Sequence, residues 1–478
     1  MDSKKTKNKR RGKVKQINQD VFRAYDIRGI VDKDFDEEWV EVLGQACGTY
    51  FLDKGYNKCV VGRDCRHSSP AYQKAMVKGL ISTGIDVIIL PMVPTPVFYF
   101  SVKHLKLNAG VMITASHNPP EFNGFKVWAG LDTIHTTEIQ NLYKILKAGK
   151  FKKGEGFASE FDPIPIYLDE LTKGIKLENK VKVVVDGGNG TSGNICKELL
   201  MRLGCEVHCL YCDPDPDFPN HHPDPTVLEN IKDLRQKVID TKSHLGVGFD
   251  GDGDRIGVVD ENGNVLYGDQ VLAIFAREVL KENPGAKIIG EVKCSHLLYK
   301  DIQNHGGTPI MWKTGHSLIK AKMREQGALL AGEMSGHMFF ADRYYGYDDA
   351  IYAAARLIEI ISKNPEKKLS TYLSDWPKTY NTPEIRMDCP EKIKFKVVEK
   401  AKEYFKNHAQ GGEVIDVDGI RINFKDGWGL IRASNTQPVL VLRFEAESPE
   451  RLKEIQEFFE TPLKKWISEV NDQDKKIS

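Results

Sequence analysis

Three stretches of the chain repeat one pattern, and that repetition limits the fold more than any other feature. In each, a β-branched apolar run is followed by a turn, an amphipathic helix, a glycine and a second apolar run. The first joins 59–62, the helix-like 69–82 and 84–90; the second joins 181–185, 194–204 and 206–210; the third joins 287–290, 295–306 and 308–312. Such strand-helix-strand units close with right-handed crossovers, which lay the two strands parallel and cover the sheet with the helix. The spacing therefore predicts three related α/β domains with mixed or parallel sheets. After about Thr379 the pattern changes to a helix over 391–407, short strand-like runs at 413–417, 420–424, 429–432 and 439–445, and a last helix from about 448. Strands joined by Asp418-Gly419 and Asp426-Gly427 predict an antiparallel sheet with helices on one face, a smaller α+β domain.

At about 100 to 200 residues per domain, 478 residues make three or four. Residues 1–16 are basic with no apolar run behind them, and read as a disordered tail rather than a signal peptide. Alternate prolines in Phe161-Asp162-Pro163-Ile164-Pro165 favour extended backbone and suggest a link. A turn at 260–264 between two short strands marks the next boundary. The expected domains are 17–162, 163–263, 264–378 and 379–478.

Lys and Arg number 68 against 67 Asp and Glu. That near-neutral balance supplies no global field for nucleic acid or an anionic membrane surface. The most apolar stretch, 80–100, is broken by Gly84, Asp86, Pro91, Pro94 and Pro96, which excludes a spanning helix there. Nine scattered cysteines favour free thiols and a reducing cytoplasm. Cys205, His208, Cys209 and Cys212 could be metal ligands, but strand alternation sends Cys209 and Cys212 to opposite faces, so a buried strand is the better reading.

Chemistry is concentrated in Asp250-Gly251-Asp252-Gly253-Asp254-Arg255. Three carboxylates spaced by glycines repel one another unless a cation sits among them, and hard oxygen donors select Mg²⁺, Mn²⁺ or Ca²⁺. An EF-hand is disfavoured because Arg255 stands where that loop needs glycine, and a strand follows instead of a helix. Mg²⁺ commonly completes its shell with phosphate oxygens, which points to phosphoryl transfer. Ser116 lies in Thr114-Ala115-Ser116-His117-Asn118-Pro119, where an apolar run ends and prolines forbid its continuation. That places it at the carboxyl end of a strand, where open α/β sheets gather ligands. Serine in such loops also serves simply to bond its own backbone, and the residues alone leave both readings open. His117 follows directly, but neighbours on an extended loop point apart, so no Ser-His dyad is expected. Cationic residues in turn contexts offer phosphate contacts: Arg28, Lys126, Arg255 and the loop Arg432-Ala433-Ser434-Asn435-Thr436-Gln437-Pro438. The glycine-rich 187–193 fits neither a dinucleotide nor a P-loop pattern and reads as a packing turn, so no hydride cofactor is indicated.

Taken together, FRAYDIRG, TASHNP, DGDGDR, GEMSGH and RASNTQP stand in the order found in the α-D-phosphohexomutases. The chain resembles that family over nearly all its length after the basic tail, most closely its phosphomannomutase/phosphoglucomutase group. The resemblance implies four domains around a central cleft, with Ser116 carried as phosphoserine and coordinated to Mg²⁺ with Asp250, Asp252 and Asp254. It implies interconversion of hexose 1-phosphate and 6-phosphate, with a hexose 1,6-bisphosphate as intermediate and activator. Glu333 and Ser335 would hold sugar hydroxyls; Arg432, Ser434, Asn435 and Thr436 would hold the unreacting phosphate; Lys293 would help close the site. Arg28, Lys126 and Arg255 would stabilise the transferring phosphoryl group. His337, His316, Lys126 and Tyr25 are open candidates for general acid and base, although either imidazole could be a buried structural histidine. The loop 333–337 favours mannose and glucose phosphates over glucosamine phosphate, and a Mg²⁺-dependent sugar-phosphate phosphatase is the rival activity. The implied setting is cytoplasmic, as a monomer or weak homo-oligomer. The segment 220–225, Asn-His-His-Pro-Asp-Pro, also resembles the family and is expected to be a turn at a domain edge.

Overall fold

A computed structural model describes residues 18–434 and 437–477, with side chains described to residue 471. The basic tail lies outside the described residues. All three repeated units form as strand, helix and parallel strand. They are Lys58–Arg63, Ser69–Ile81 and Asp86–Met92; Lys182–Asp186, Gly193–Arg202 and Glu206–Leu210; and Lys287–Glu291, His296–Asn304 and Thr308–Trp312.

Each unit is the centre of a mixed sheet. In the first, Ala109–Ile113 lies parallel to Lys58–Arg63 and antiparallel to Phe122–Ala129, which in turn pairs antiparallel with Ile27–Ile30. In the second, Leu245–Phe249 runs parallel to Lys182–Asp186 and turns back antiparallel as Ile256–Asp260. In the third, Leu330–Gly332 is parallel to Lys287–Glu291 and is followed by antiparallel Met338–Phe340. The carboxyl end of a central parallel strand thus opens in each sheet into a loop bearing candidate chemistry: 114–121, 250–255 and 333–337. The fourth sheet is antiparallel throughout, and the helices Lys394–Asn407 and Pro449–Ile477 pack against it.

Burial follows the sequence pattern. Gly268–Glu282 buries Val271, Leu272, Phe275, Ala276 and Val279 on one side and Ala273 and Ile274 on others, as a helix packed between layers does. One apolar core runs unbroken through the first three sheets, from Val60 and Phe98 through Tyr167 to Leu272 and Ile358. The fourth domain has a core of its own, built around Phe405, Ile431, Phe444 and Phe459. No helix among the described residues is long and apolar enough to cross a membrane.

Several expectations are corrected. Pro163 caps the helix Ile164–Gly174 and Pro165 lies in its first turn, where a missing amide costs nothing, so these prolines start a helix instead of extending a linker. The strand spans Glu206–Leu210 as expected, but it is half-exposed instead of buried, and the next residue, Tyr211, takes φ 48°. That left-handed residue breaks the alternation and swings Cys212 back to Cys209, with which it forms a disulfide at a Cα separation of 6.1 Å; the other seven cysteines are free. Two short strands, Tyr380–Asn381 and Ile385–Asp388, pair with Val439–Ala446 and were not anticipated.

Candidate active site

The strand Ala109–Ile113 is buried along its whole length, and the chain leaves it at Thr114. Ser116 then adopts φ 51°, a left-handed conformation that side chains other than glycine enter at a cost. Its neighbours hold it there. The Ser116 amide donates to Thr114 Oγ1 at 2.9 Å. Arg66, buried beneath the loop, commits all its donors: Nη2 to the carbonyls of Ser116 (2.8 Å) and Asn118 (2.6 Å), Nη1 to those of Pro119 (2.6 Å) and Phe122 (2.9 Å), and Nε to Asp64 (3.2 Å).

The acidic loop meets Ser116 at close range because it contains glycine. A Cβ on Gly251 would stand 2.4 Å from the Ser116 carbonyl oxygen, and Gly253 has φ 73°. The Ser116 hydroxyl donates to Asp250 Oδ2 at 2.6 Å, while Asp250 Oδ1 accepts the amides of Asp254 and Arg255, both at 3.1 Å. Oxygens of Asp250, Asp252 and Asp254 lie within 4.8 Å of one another, all buried. Burial, with repulsion from Asp254 and Asp252, pushes Asp250 well above the usual carboxylate range. Burial also opposes charge on Asp252, but Lys126 and the hydrogen bonds from Lys126 and Thr95 outweigh it and hold Asp252 low. Lys126 Nζ lies 2.8 Å from Asp252 Oδ2 and also bonds Asp254 Oδ2; against its own burial, these two carboxylates raise it above the ordinary lysine value. Asp252 Oδ1 and Asp254 Oδ1 are buried and accept no hydrogen bond, so each presents a lone pair to a cation. Two such hard oxygens, beside Asp250 and a serine hydroxyl, fit a divalent ion of the Mg²⁺ type.

A second cluster adjoins the first. His337 Nδ1 lies 3.0 Å from Asp348 Oδ2, and its Nε2 accepts from Arg255 Nε at 3.0 Å. Asp348 is buried and 3.1 Å from Lys320 Nζ; burial alone would raise it, but Lys320 and His337 hold it well below the usual range. An ionised Asp348 keeps the proton of His337 on Nδ1 and leaves Nε2 an acceptor. His337 stacks on His316 at 5.5 Å, and His316 meets Tyr25 edge-on at 5.2 Å. Burial, then Lys320 and Lys126 acting against Asp348, depress His316 strongly. Burial, with Asp26 and Glu333 adding to it, raises Tyr25.

The remaining candidates lie on neighbouring segments. Arg28 reaches the serine loop through Asn118 Oδ1 (2.7 Å) and is tethered by Asp26 (2.6 Å). Glu333 accepts the Gly315 amide at 2.7 Å and is raised by burial, and Ser335 lies in the turn closed by Gly336 N–H on the Glu333 carbonyl. Lys293 Nζ stands 3.1 Å from Glu384 and 3.9 Å from Glu291. Arg432 Nε donates to Asp418 at 3.0 Å, and Asp418 also accepts the Thr314 amide, tying the fourth domain to the third. Arg432 Nη2 is buried without a partner. Asn435 and Thr436 lie outside the described residues. Direct contacts therefore join Ser116, the three aspartates and Lys126, and join Arg255 to His337. Lys293 and Arg432 bond Glu384 and Asp418 and are not in direct contact with this centre.

Two readings change. Ser116 and His117 are not splayed apart: Ser116 Oγ lies 3.0 Å from His117 Nδ1, because the left-handed φ removes the alternation of an extended loop. Burial, with Arg255 and Arg28, holds His117 well below the ordinary imidazole value. With the serine proton directed at Asp250, the neutral ring contributes its Nδ1–H to Oγ, the opposite polarity to a hydrolase base. The 220–225 segment is also more than an edge turn: His222 lies against the His117 backbone, and His221 pairs with Asp186 at 3.0 Å. Sequence reasoning overlooked Arg66, Thr95, Lys320, Asp348 and Asp418. Arg66 and Thr95 follow the carboxyl ends of strands, the one positional signal that could have found them; Asp348 and Lys320 carry none.

Comparison with known proteins places these features in a family. Models of phosphoglucomutase/phosphomannomutase match all four parts of the chain: α/β/α domain I over 19–153, domain II over 165–263, domain III over 267–380 and the C-terminal domain over 384–461. A phosphomannomutase/phosphoglucomutase of Pseudomonas aeruginosa is 45% identical over 454 residues, 95% of this chain and 97% of that one. A phosphoglucomutase of Neisseria gonorrhoeae is 43% identical over 452 residues, 94% and 97% respectively. The crystal structure of a phosphoglucomutase/phosphomannomutase family protein from Burkholderia thailandensis superposes with a TM-score of 0.89 at 42% identity, covering 94% of this chain and 98% of that one.

Proposed function

The chain belongs to the phosphoglucomutase/phosphomannomutase family of mutases, and from that premise we propose that it interconverts the 1- and 6-phosphates of mannose, glucose or both through phosphorylated Ser116 and a hexose 1,6-bisphosphate. The observation that carries this reading is the Ser116 hydroxyl held 2.6 Å from Asp250 within a buried group of three carboxylates. A serine so placed is a phosphate carrier, since its hydroxyl faces an acidic cluster and not a general base.

Asp250, Asp252, Asp254 and Ser116 would hold Mg²⁺, which when bound supplies positive charge against the transferring phosphoryl oxygens. The chain's own cations do the same work: Lys126, kept charged by its two aspartates, and Arg28 and Arg255 at the mouth of the loop. Proton transfer from the attacking sugar hydroxyl falls to His337. Lys126 is held protonated, Tyr25 keeps its proton, and Asp348 Oδ2 lies closer to His337 Nδ1, at 3.0 Å, than to His316 Nδ1, at 3.7 Å, so it fixes His337 with Nε2 as acceptor. Arg255 donates to that nitrogen here, and a turn of its guanidinium toward phosphate would release it. Glu333 and Ser335 would bind sugar hydroxyls. Arg432, with Ser434, Asn435 and Thr436, would grip the unreacting phosphate, the unpartnered Nη2 being the support. A grip that holds either phosphate equally lets the intermediate present each end of the sugar to Ser116.

We place the enzyme in the cytoplasm as a monomer or weak homo-oligomer, on its near-neutral charge and seven free cysteines. A coupled assay tests the activity: with Mg²⁺ and a catalytic amount of hexose 1,6-bisphosphate, glucose 1-phosphate and mannose 1-phosphate should yield the 6-phosphates. Inorganic phosphate released in place of isomerised sugar would make the protein a phosphatase.

A further inference from the structure

Glu291 ends the strand Lys287–Glu291 at the centre of the third sheet and is 0% exposed. A carboxylate is buried at a free-energy penalty unless donors fill its oxygens, and here the donors come from three segments. Oε2 accepts the Lys293 amide and the Thr314 hydroxyl, both at 2.8 Å, and Oε1 accepts the Met334 amide at 3.3 Å. Two of these ties bear on Glu333. The Met334 bond fixes the main chain beside it, and Thr314 precedes Gly315, whose amide donates to Glu333 Oε1 at 2.7 Å. The turn that carries Glu333 is closed from within, by Gly336 N–H on the Glu333 carbonyl and Glu333 N–H on the His337 carbonyl, both at 3.0 Å. A turn so closed shifts as a unit, and Glu291 fixes where that unit sits against the Thr314-Gly315 backbone. An apolar side chain could fill the strand end, but a carboxylate accepts on both oxygens and so holds the two segments to one point.

We infer that Glu291 is a positioning residue that aims the Glu333 carboxylate at the sugar hydroxyls, and so sets the affinity for hexose phosphate without touching the sugar. The inference rests on reading Glu333 as the ligand of those hydroxyls. A carboxylate held in place before the sugar arrives loses little further freedom on binding. Because hydroxyls that do not react are held alike in ground and transition states, misplacing Glu333 weakens uniform binding, which raises KM and spares kcat.

The test uses the full-length enzyme, Mg²⁺ and glucose 1-phosphate. E291Q keeps the shape of the side chain but offers one acceptor oxygen, so on one side an N–H must face its donors. It should raise KM about tenfold, as expected for lost hydrogen bonds to a charged group, with kcat within about threefold of wild type. E333Q should raise KM at least as far. The double variant E291Q/E333Q should be no worse than E333Q alone, since residues that act through one another are not additive. A role in stability alone would lower the melting temperature of E291Q but leave the KM of the folded enzyme unaltered, and that result overturns the proposal. Effects on KM that multiply in the double variant overturn it as well, because Glu291 would then act by a route other than Glu333. Should E291Q fail to fold, T314V, which removes a single one of these bonds, is read in the same way, with a rise in KM of about threefold expected. The E333Q arm separates the two claims. An unchanged KM in E333Q means that Glu333 does not hold the sugar, and the inference falls with that reading; a raised KM in E333Q with a normal one in E291Q removes Glu291 alone.

Discussion

Replacing Lys126 with methionine tests the electrostatics of the centre. The ammonium lies 2.8 Å from Asp252 and bonds Asp254 as well, with all three groups buried. At an effective dielectric of about 20, one such contact is worth roughly 6 kcal/mol of Coulomb energy. Desolvation of the lysine offsets part of that, and breaking a buried pair from one side costs about 3 to 5 kcal/mol. In the absence of divalent metal, K126M should therefore unfold at markedly lower denaturant concentration, because two buried carboxylates, Asp252 and Asp254, lose their organic counter-ion. Mg²⁺ should restore most of the loss, since it can neutralise the same oxygens, and by linkage the variant should bind Mg²⁺ more tightly than wild type. Turnover should still fall by about 10² to 10³, as when one preorganised donor is removed from a transition state. The assays are urea unfolding with EDTA and with Mg²⁺, Mg²⁺ titration calorimetry, and kcat. Equal destabilisation with and without metal, or weaker Mg²⁺ binding in K126M, would refute the idea that lysine and metal serve one set of carboxylates.

Two further outcomes follow from the buried acids. Asp250 is raised by burial and by its acidic neighbours, so Mg²⁺ binding should release a proton, seen as a calorimetric enthalpy that depends on buffer ionisation; D250N should abolish that dependence. Asp349 caps the helix Ala350–Ser362 and accepts from the Tyr167 and Tyr344 hydroxyls, both at 2.9 Å; burial pushes it up to about 6. Its folded value exceeds the unfolded one, so its contribution is fully present below about pH 3.8 and is lost as pH rises through about 6, in all about 3 kcal/mol. D349N should thus gain on wild type by up to that amount between pH 4 and pH 7, measured by urea unfolding. A gap between the two that does not change with pH would contradict this sign.

The sequence carried the architecture where structure is local and periodic. The three repeated units are legible because parallel strands bury both faces and their helices one stripe, and Asp250 to Asp254 are legible because three carboxylates in five residues need a cation wherever they fold. What escaped depends on single backbone angles and on distant partners. No glycine announces the left-handed Ser116 or Tyr211, yet those residues turn His117 toward the serine and Cys212 toward Cys209. Arg66 beneath the serine loop, and Asp348 behind His337, are meaningful only once remote segments have packed. The strands at 380–388 are too short to show a period.

The most direct test of the phosphoserine reading is the intact mass of the purified enzyme after incubation with Mg²⁺ and a hexose 1,6-bisphosphate, compared with S116A. Wild type should carry one additional phosphoryl group, located by fragmentation to Ser116, and should pass it to added hexose monophosphate; S116A should carry none and show no mutase turnover. An unmodified wild type that still interconverts the sugar phosphates, or an S116A variant with normal turnover, would contradict it.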